Sequence, residues 1–256
     1  GSQQAEGRIV LTSPVEFTGI VFGCNEARHL PTCLESLAFC EQLLVFDLGS
    51  SDGSPEIARR HGAEVIQRAW VPVVEQARAG ALPHARHEWL IFLDPDEVFP
   101  SGAVELLRDL IDGDERLAAV ALPWQFTFRG KPLHVTQWGL PKTKRIVVHR
   151  QRVRMSAAVF SGIQPLDGCT VAELPRQPAT TIRHHWADSF RELIRKHRRY
   201  LPLDGEARYQ KGERFTWRRW ASKSARALKQ NLIDYRGLRG GLTGVLLSVF
   251  YAWFVS

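Results

Sequence analysis

Between Phe17 and Asp94 the apolar residues come in short unbroken runs, and the segments between them carry apolar residues at helical spacing. FTGIVFGC (Phe17–Cys24), LLVFD (Leu43–Asp47), AEVIQ (Ala63–Gln67) and WLIFLD (Trp89–Asp94) read as buried strands. NEARHLPTCLESLAFC places Leu30, Leu34 and Leu37 on one helical face. Asn25 is its expected cap, although Pro31, tolerated only near a first turn, moves the start toward His29. Pro55 opens a short helix that Gly62 closes, and Val73 to His87 is expected to be helical. Four strand–helix alternations in about 80 residues predict an α/β fold with a mostly parallel sheet flanked by helices.

The second half is less regular. A helix is expected from Ser101 to about Leu110, then a strand LAAVALPW (Leu117–Trp124), then short strands and loops from Gln125 to Arg183. DSFRELIRKHRRYL (Asp188–Leu201) predicts a basic amphipathic helix. A further helix from Thr216 to Tyr235 sets Trp217, Trp220, Ala221, Leu228 and Leu232 on one side. The last segment, LTGVLLSVFYAWFVS, is almost wholly apolar but shorter than the ~20 residues that span a bilayer. A core helix, an interfacial segment and a membrane segment cut short all fit it.

Charge changes this picture in one region. The net charge is +7 over 256 residues, and Arg183 to Lys229 alone holds fourteen Lys and Arg against five Asp and Glu. Such a block attracts nucleic acid, anionic lipid or a phosphorylated glycan. The Trp–Arg mixture RFTWRRWASKSARALK suits a membrane surface, with rings at headgroup level and cations on anionic lipid. No nucleic-acid motif accompanies it, so no nucleic-acid partner is expected. Cys24, Cys33, Cys40 and Cys169 fit no zinc spacing; they read as buried thiols of a reducing compartment, with Cys33 and Cys40 on one helix face. Gly1-Ser2 reads as a tag remnant, and no secretory signal follows it.

The candidate chemistry falls at strand ends. Asn25 and Glu26 follow the first strand, Asp47 and Asp52 the second, Asp94 and Asp96 the fourth. In parallel sheets ligands bind beyond the carboxyl ends of strands, so these residues are expected to converge. Asp94-Pro95-Asp96-Glu97 crowds three like charges on one turn. A D-x-D pair of this kind can share a hard divalent cation, Mg²⁺ or Mn²⁺, whose remaining sites a bound diphosphate fills. Alone, the D-x-D pattern is weak.

Three ordered stretches, GIVFGCNEARHLPTCLESL, LLVFDLGSSDGSPEIARRHGAEVI and EWLIFLDPDE, resemble the family 2 glycosyltransferases, which have the GT-A fold. The second half, through HHWADSFRELIRKHRRYLPLDGEARYQKG and YRGLRGGLTGVLLSVFYAWF, is more loosely similar to bacterial lipopolysaccharide core β-1,4-glucosyltransferases. The resemblance implies a nucleotide-sugar donor, often UDP-linked, and a membrane-associated glycan or lipid acceptor. It implies that Asn25 and Glu26 border the nucleotide pocket, Asp47 and Asp52 hold uracil or ribose, and Arg78 faces the nucleotide or diphosphate. Asp94 would touch ribose or the metal, Asp96 would bind the metal, and His185 could join it. Lys196 and Arg199 could clamp acceptor or donor phosphate. The implied organisation is a loose arm (1–16), a catalytic domain (17–187) divided into a nucleotide-sugar half (17–100) and an acceptor half (101–187), and a basic helical extension (188–256). That extension would hold the protein peripherally on the inner face of the cytoplasmic membrane.

One part of the family pattern is missing. Inverting members need a carboxylate base, and similar proteins often show His-Glu where this chain has Phe160-Ser161. Asp167 is the nearest candidate, with Glu173 and Asp188 as others. Two alternatives need no such base: a polyprenyl-phosphate acceptor, already ionised, or a non-catalytic module that binds nucleotide sugar or membrane.

Overall fold

The computed structural model describes residues 14–71, 74–155, 163–198, 201–210 and 212–256. β1 (Phe17–Gly23) is buried along its first six residues because a parallel strand lies on each side of it. These are β2 (Gln42–Asp47) and β4 (Trp89–Leu93), and β3 (Glu64–Gln67) extends the parallel set beyond β2. Side chains alternate between two cores, as the two-residue period of a strand requires. Phe17, Val21, Val45 and Ile91 face α1 (Leu30–Ser36), α2 (Ser54–Arg60) and α4 (Val104–Gly113). Ile20, Phe22, Leu44, Phe46, Leu90 and Phe92 face the opposite layer around Ala81 and Ala85. Both faces are covered, so these strands read as unbroken apolar runs.

Beyond β4 the sheet becomes mixed. β8 (Lys142–His149) pairs antiparallel with β4 and with the long β6 (Leu117–Phe128). β12 (Ile182–Ala187) runs parallel to β6 and carries the two-residue β5 (Glu97–Val98) on its outer side. β7 (Lys131–Pro132) and β11 (Thr170–Glu173) also pair with β6, while β9 (Val153–Met155) and β10 (Ile163–Pro165) form a separate hairpin. A third core forms at the end of β6, where Phe126, Phe128, Trp138 and Trp186 meet Leu193, Leu247 and Phe250. Leu193 comes from α5 (Phe190–Arg198), and Leu247 and Phe250 come from α8 (Gly241–Val255). α6 (Leu201–Gln210) and α7 (Trp217–Lys229) lie between them in sequence, and α7 packs on α8.

Several expectations are corrected. The helix expected over Val73–His87 is only α3 (Glu75–Arg78), followed by a 3₁₀ segment Ala79–His84 that contains Pro83. Proline removes a donor and clashes one turn back, so the α-helix cannot run through. α1 ends at Ser36, so Cys40 is not on it with Cys33. The strand expected to stop at Trp124 runs on to Phe128, and the region after it holds the eight-residue β8. On α7 the docked residue is Ala227; Trp217 is 73 % exposed and Trp220 also faces outward. A 3₁₀ turn, Gly237–Gly240, leads into α8, so the apolar helical stretch is 19 residues, Gly237–Val255, long enough by length and composition to cross a membrane. Leu247 and Phe250 are nevertheless spent on the third core, which ties one side of α8 to the protein body.

Candidate active site

The first two strand ends are joined by side-chain bonds. Asn25 sits at φ +59°, and its Oδ1 accepts from the Ser51 N–H (2.8 Å) and the Ser51 hydroxyl (3.2 Å). It therefore ties loop to loop and does not cap α1, whose cap position is His29. The Glu26 N–H donates to Ser54 Oγ (2.9 Å) and the Ala27 N–H to Asp52 Oδ2 (3.1 Å). Burial pushes the Asp52 carboxyl up, but hydrogen bonds from Ser54 and from Ala27 more than offset it and hold it below the usual range. Asp47, buried at the end of β2, accepts from the Ser50 N–H at 3.1 Å. A Cβ on Gly23 would touch both Glu26 and Pro95, so the end of β1 lies against the tip of β4. The strand ends therefore converge as the sequence implied.

At that tip the crowded carboxylates have partners. Lys144 Nζ, from β8, donates to Asp94 Oδ2 (2.5 Å) and to both Glu97 oxygens (2.7 Å each). Glu97 is fully buried, and the Asp94 N–H also donates to it (3.0 Å). Burial alone would raise Asp94, but Lys144, helped by Arg78, holds it below the usual carboxylate range. Burial does raise Glu97, despite Lys144. The Lys144 ammonium, desolvated yet flanked by two carboxylates, is held above the ordinary lysine value.

Asp96 has a different set. Its Oδ2 lies 2.9 Å from Lys196 Nζ and 3.3 Å from His184 Nε2. Burial works against its charge, yet His184 and Lys196 keep it ionised far below the usual range. The turn is stitched to β12: the His185 N–H donates to the Asp96 carbonyl (2.7 Å), and Glu97 pairs with His184. His185 turns its ring to stack on His29 at 5.8 Å. Burial lowers the pKa of both rings, and neighbouring Asp96 only partly restores it.

This constellation gathers at the carboxyl ends of β1, β2 and β4, around Asp96, which is ionised and largely shielded from solvent. The glycosyl transferase family 2 model matches residues 20–164, more than half of the chain, and takes in the strand tips from Asn25 to Glu97. The chain belongs to glycosyl transferase family 2. A TPR repeat-containing protein of Synechococcus elongatus is 36 % identical over 99 residues, which are 38 % of this chain and 25 % of that one. The S. aureus TarS 1–349 structure is 21 % identical, covering 48 % of this chain and 40 % of that chain, with a TM-score of 0.38. Glucosyl-3-phosphoglycerate synthase from Mycobacterium tuberculosis in complex with phosphoglyceric acid is 19 % identical over 54 % of this chain and 57 % of that chain, with a TM-score of 0.40. The chain thus spans a quarter of the curated relative and two-fifths of the TarS fragment.

For a family 2 glycosyltransferase the remaining expected residues separate clearly. Arg78 reaches the tip, with its guanidinium 5.8 Å from the centre of the Phe92 ring and its charge felt by Asp94. Lys196 serves Asp96 directly and also donates to the Trp186 carbonyl (3.1 Å). It is His184, not His185, that places a ring nitrogen on Asp96. Arg199 and the Phe160-Ser161 stretch lie outside the described residues. Asp167 is exposed on a turn between Leu166, bonded to Arg152 beyond β8, and Thr170, beside the start of β6. That is the end of the sheet opposite Asp94, so Asp167 is not brought to the strand tips. Glu173 is exposed at the end of β11. Asp188 follows β12 directly, pairs with Arg28 at 2.5 Å, and its charge reaches His185. Nothing in the sequence marks Lys144, His29 and Arg28 as site residues, whereas Glu97 stands out only as the third charge on the turn and His184 only as the neighbour of His185.

The donor set also fits a divalent cation of the expected kind. Among the described residues no three His, Cys, Asp or Glu side chains form a ready cage. Mg²⁺ seldom needs one, because one or two carboxylates and substrate phosphate oxygens complete its shell. Asp96, ionised and only 14 % exposed, beside the Asp94 carboxylate, supplies that part. Cys33 is no competitor: its buried thiol sits against the Asp94 carbonyl (3.5 Å), and burial pushes its pKa well up.

Proposed function

We propose that the protein moves a sugar from a nucleotide-sugar donor, UDP-linked, to a membrane-associated glycan or lipid acceptor, with inversion. The observation that carries this reading is Asp96, an ionised and largely shielded carboxylate at the tip of β4, facing Lys196 and His184 beside the Asn25–Asp52 loops. Asp47 and Asp52 hold the base or ribose, and Arg78 faces the diphosphate. Asp96, with Asp94, would hold Mg²⁺ or Mn²⁺, which when bound neutralises charge on the leaving diphosphate. Lys196 and His184 add donors at the same place.

The acceptor oxygen forms its bond to the anomeric carbon as the bond from that carbon to the diphosphate oxygen breaks. The hydroxyl proton goes to a carboxylate, for which Asp188 is the best-placed of the three candidates, since it stands beside His185 and Arg28. An acceptor that is itself a phosphate needs no such transfer, and this second reading draws support from the cationic cavity described below. The exposed apolar side of α8 and the basic residues of α7 support a place on the inner face of the cytoplasmic membrane. A role in cell-envelope polysaccharide or lipopolysaccharide synthesis completes this reading.

Calorimetry of UDP and GDP, with and without Mn²⁺, tests the reading. UDP binding that requires Mn²⁺, together with slow hydrolysis of a UDP-sugar, is the expected result. Binding of neither nucleotide under either condition removes the proposal. Binding without hydrolysis or transfer to any acceptor would make the chain a binding module.

A further inference from the structure

A cavity of about 640 Å³ lies next to the strand tips, between the β6–β7 hairpin and α8. That is within the range of small-ligand sites. Arg129, Lys131, His134 and Arg239 line it, and no acidic residue does. None of the four carries an ion pair among the described residues. Leu133 and Leu247, both buried in the third core, give it an apolar floor. Like charges gathered over an apolar floor repel one another, and an anion with an apolar body relieves that arrangement.

The walls are fixed in place. Arg129 and Gly130 both have positive φ (+53° and +73°), as the two central residues of a tight hairpin turn do. The Arg129 N–H donates to the Ala187 carbonyl (2.9 Å), which ties the hairpin to the end of β12. On the other wall a Cβ on Gly240 would lie 2.7 Å from the Val135 side chain, so only glycine lets the helix entry approach this closely. β6 pairs Phe126 with His184 of the Asp96 cluster, and two residues later Phe128 lines the cavity. The cavity and the Asp96 cluster are thus neighbours along one strand.

On α8, Thr243 and Leu247 line the cavity, while Leu242, Leu246, Val249 and Trp253 are exposed at helical spacing. The cavity-lining row and the exposed apolar row are adjacent on one helix. A headgroup seated among the cations would therefore have its chain run along the exposed row.

We infer that this cavity seats the phosphate of a phosphate-bearing amphiphile, with its apolar chain along the outer side of α8, and that this amphiphile is the acceptor. The binding site stands on the cavity alone; its assignment to the acceptor rests on the glycosyl-transfer reading above. Dodecyl phosphate below its micelle concentration is a suitable calorimetric probe, with inorganic phosphate and dodecyl maltoside as comparisons. Dodecyl phosphate is expected to bind more tightly than either. Lys131→Gln with Arg239→Gln, both at exposed positions, should weaken it by about tenfold or more, the effect of one lost charge-assisted contact. Arg59→Gln with Arg60→Gln, at the exposed end of α2, should leave it unchanged. Equal affinity for inorganic phosphate would make this a free-phosphate site and overturn the inference, as would unchanged affinity in Lys131→Gln/Arg239→Gln. UDP binding by the same variants reports on the strand-tip cluster separately. Lost amphiphile binding with intact UDP binding supports the cavity assignment; if the wild type binds no UDP, the transferase reading falls while the cavity result still stands.

Discussion

Lys144→Met is expected to destabilise the fold by ~3–5 kcal/mol, the usual range for removing one partner of a buried ion pair. For a chain of this size that is a fall of roughly 10 °C in Tm. The reason lies in Glu97, which is fully buried and receives two of the three Lys144 contacts. Without the ammonium it must either keep an uncompensated charge or take up a proton. The second route makes the penalty depend on pH. Burial already raises Glu97 in the native protein, and loss of Lys144 raises it further. A carboxyl whose folded pKa exceeds its unfolded one binds more protons when folded, so stability falls as pH rises through that range. The variant should therefore lose more stability at pH 7.5 than at pH 5. Adding Glu97→Gln should recover roughly half of the loss, because the remaining partner, Asp94, is partly open to solvent. Denaturant melts at both pH values check this. An unchanged midpoint in Lys144→Met would mean that the three groups do not form the buried pair described.

Asp96→Asn should act on turnover instead. The amide keeps the shape and removes the charge that Lys196 and His184 face, so the site loses its electrostatic purpose with little change in packing. Donor turnover should fall by about 10²–10³-fold, as when one preorganised charge-stabilising group is removed from a site. Mn²⁺-dependent UDP binding should fall with it, and the melting midpoint should fall as well, because Lys196 and His184 lose the anion they face. The same assay separates the carboxylates considered for the base. Asp188→Asn should lower transfer to a hydroxyl acceptor by about 10²–10⁴-fold, and Asp167→Asn, at the opposite end of the sheet, should leave it unchanged. A wild-type rate in Asp96→Asn would remove the strand tip from the chemistry.

The residues behind these two predictions differ in how well the sequence foreshadows them. Asp96 is legible because it ends an apolar run buried on both faces, and parallel sheets bring such ends together. Lys144 is not. KTKRIVVH alternates exposed and half-buried positions through its basic part, as a solvated edge would, and its partners are 47 and 50 residues away. The choice between His184 and His185 was equally out of reach. Adjacent strand residues point to opposite faces, and which one meets Asp96 follows from the pairing of β12 with β5 and β6, shifted just past His185. The break within Val73–His87 did have a local signal, in Gly80 and Pro83. Trp217 and Trp220 misled for another reason. Helical spacing groups apolar residues on one side without saying whether protein or lipid covers that side, and here Ala227 docks while the tryptophans face outward.

The order of strands in the sheet has a consequence for how the chain can be divided and made. β4, the carrier of the carboxylates, is covered on its far edge by β8, whose residues are synthesised some fifty positions later. A fragment that stops before Lys142 leaves Trp89–Leu93, five consecutive buried apolar residues, as a bare edge. Unpaired edges of that composition recruit other strands, so such a fragment should aggregate rather than fold as a nucleotide-binding unit. During translation the same edge stays open until β8 has emerged, and His184 and Lys196 reach Asp96 later still. The cluster around Asp96 is thus assembled last, from both halves of the chain.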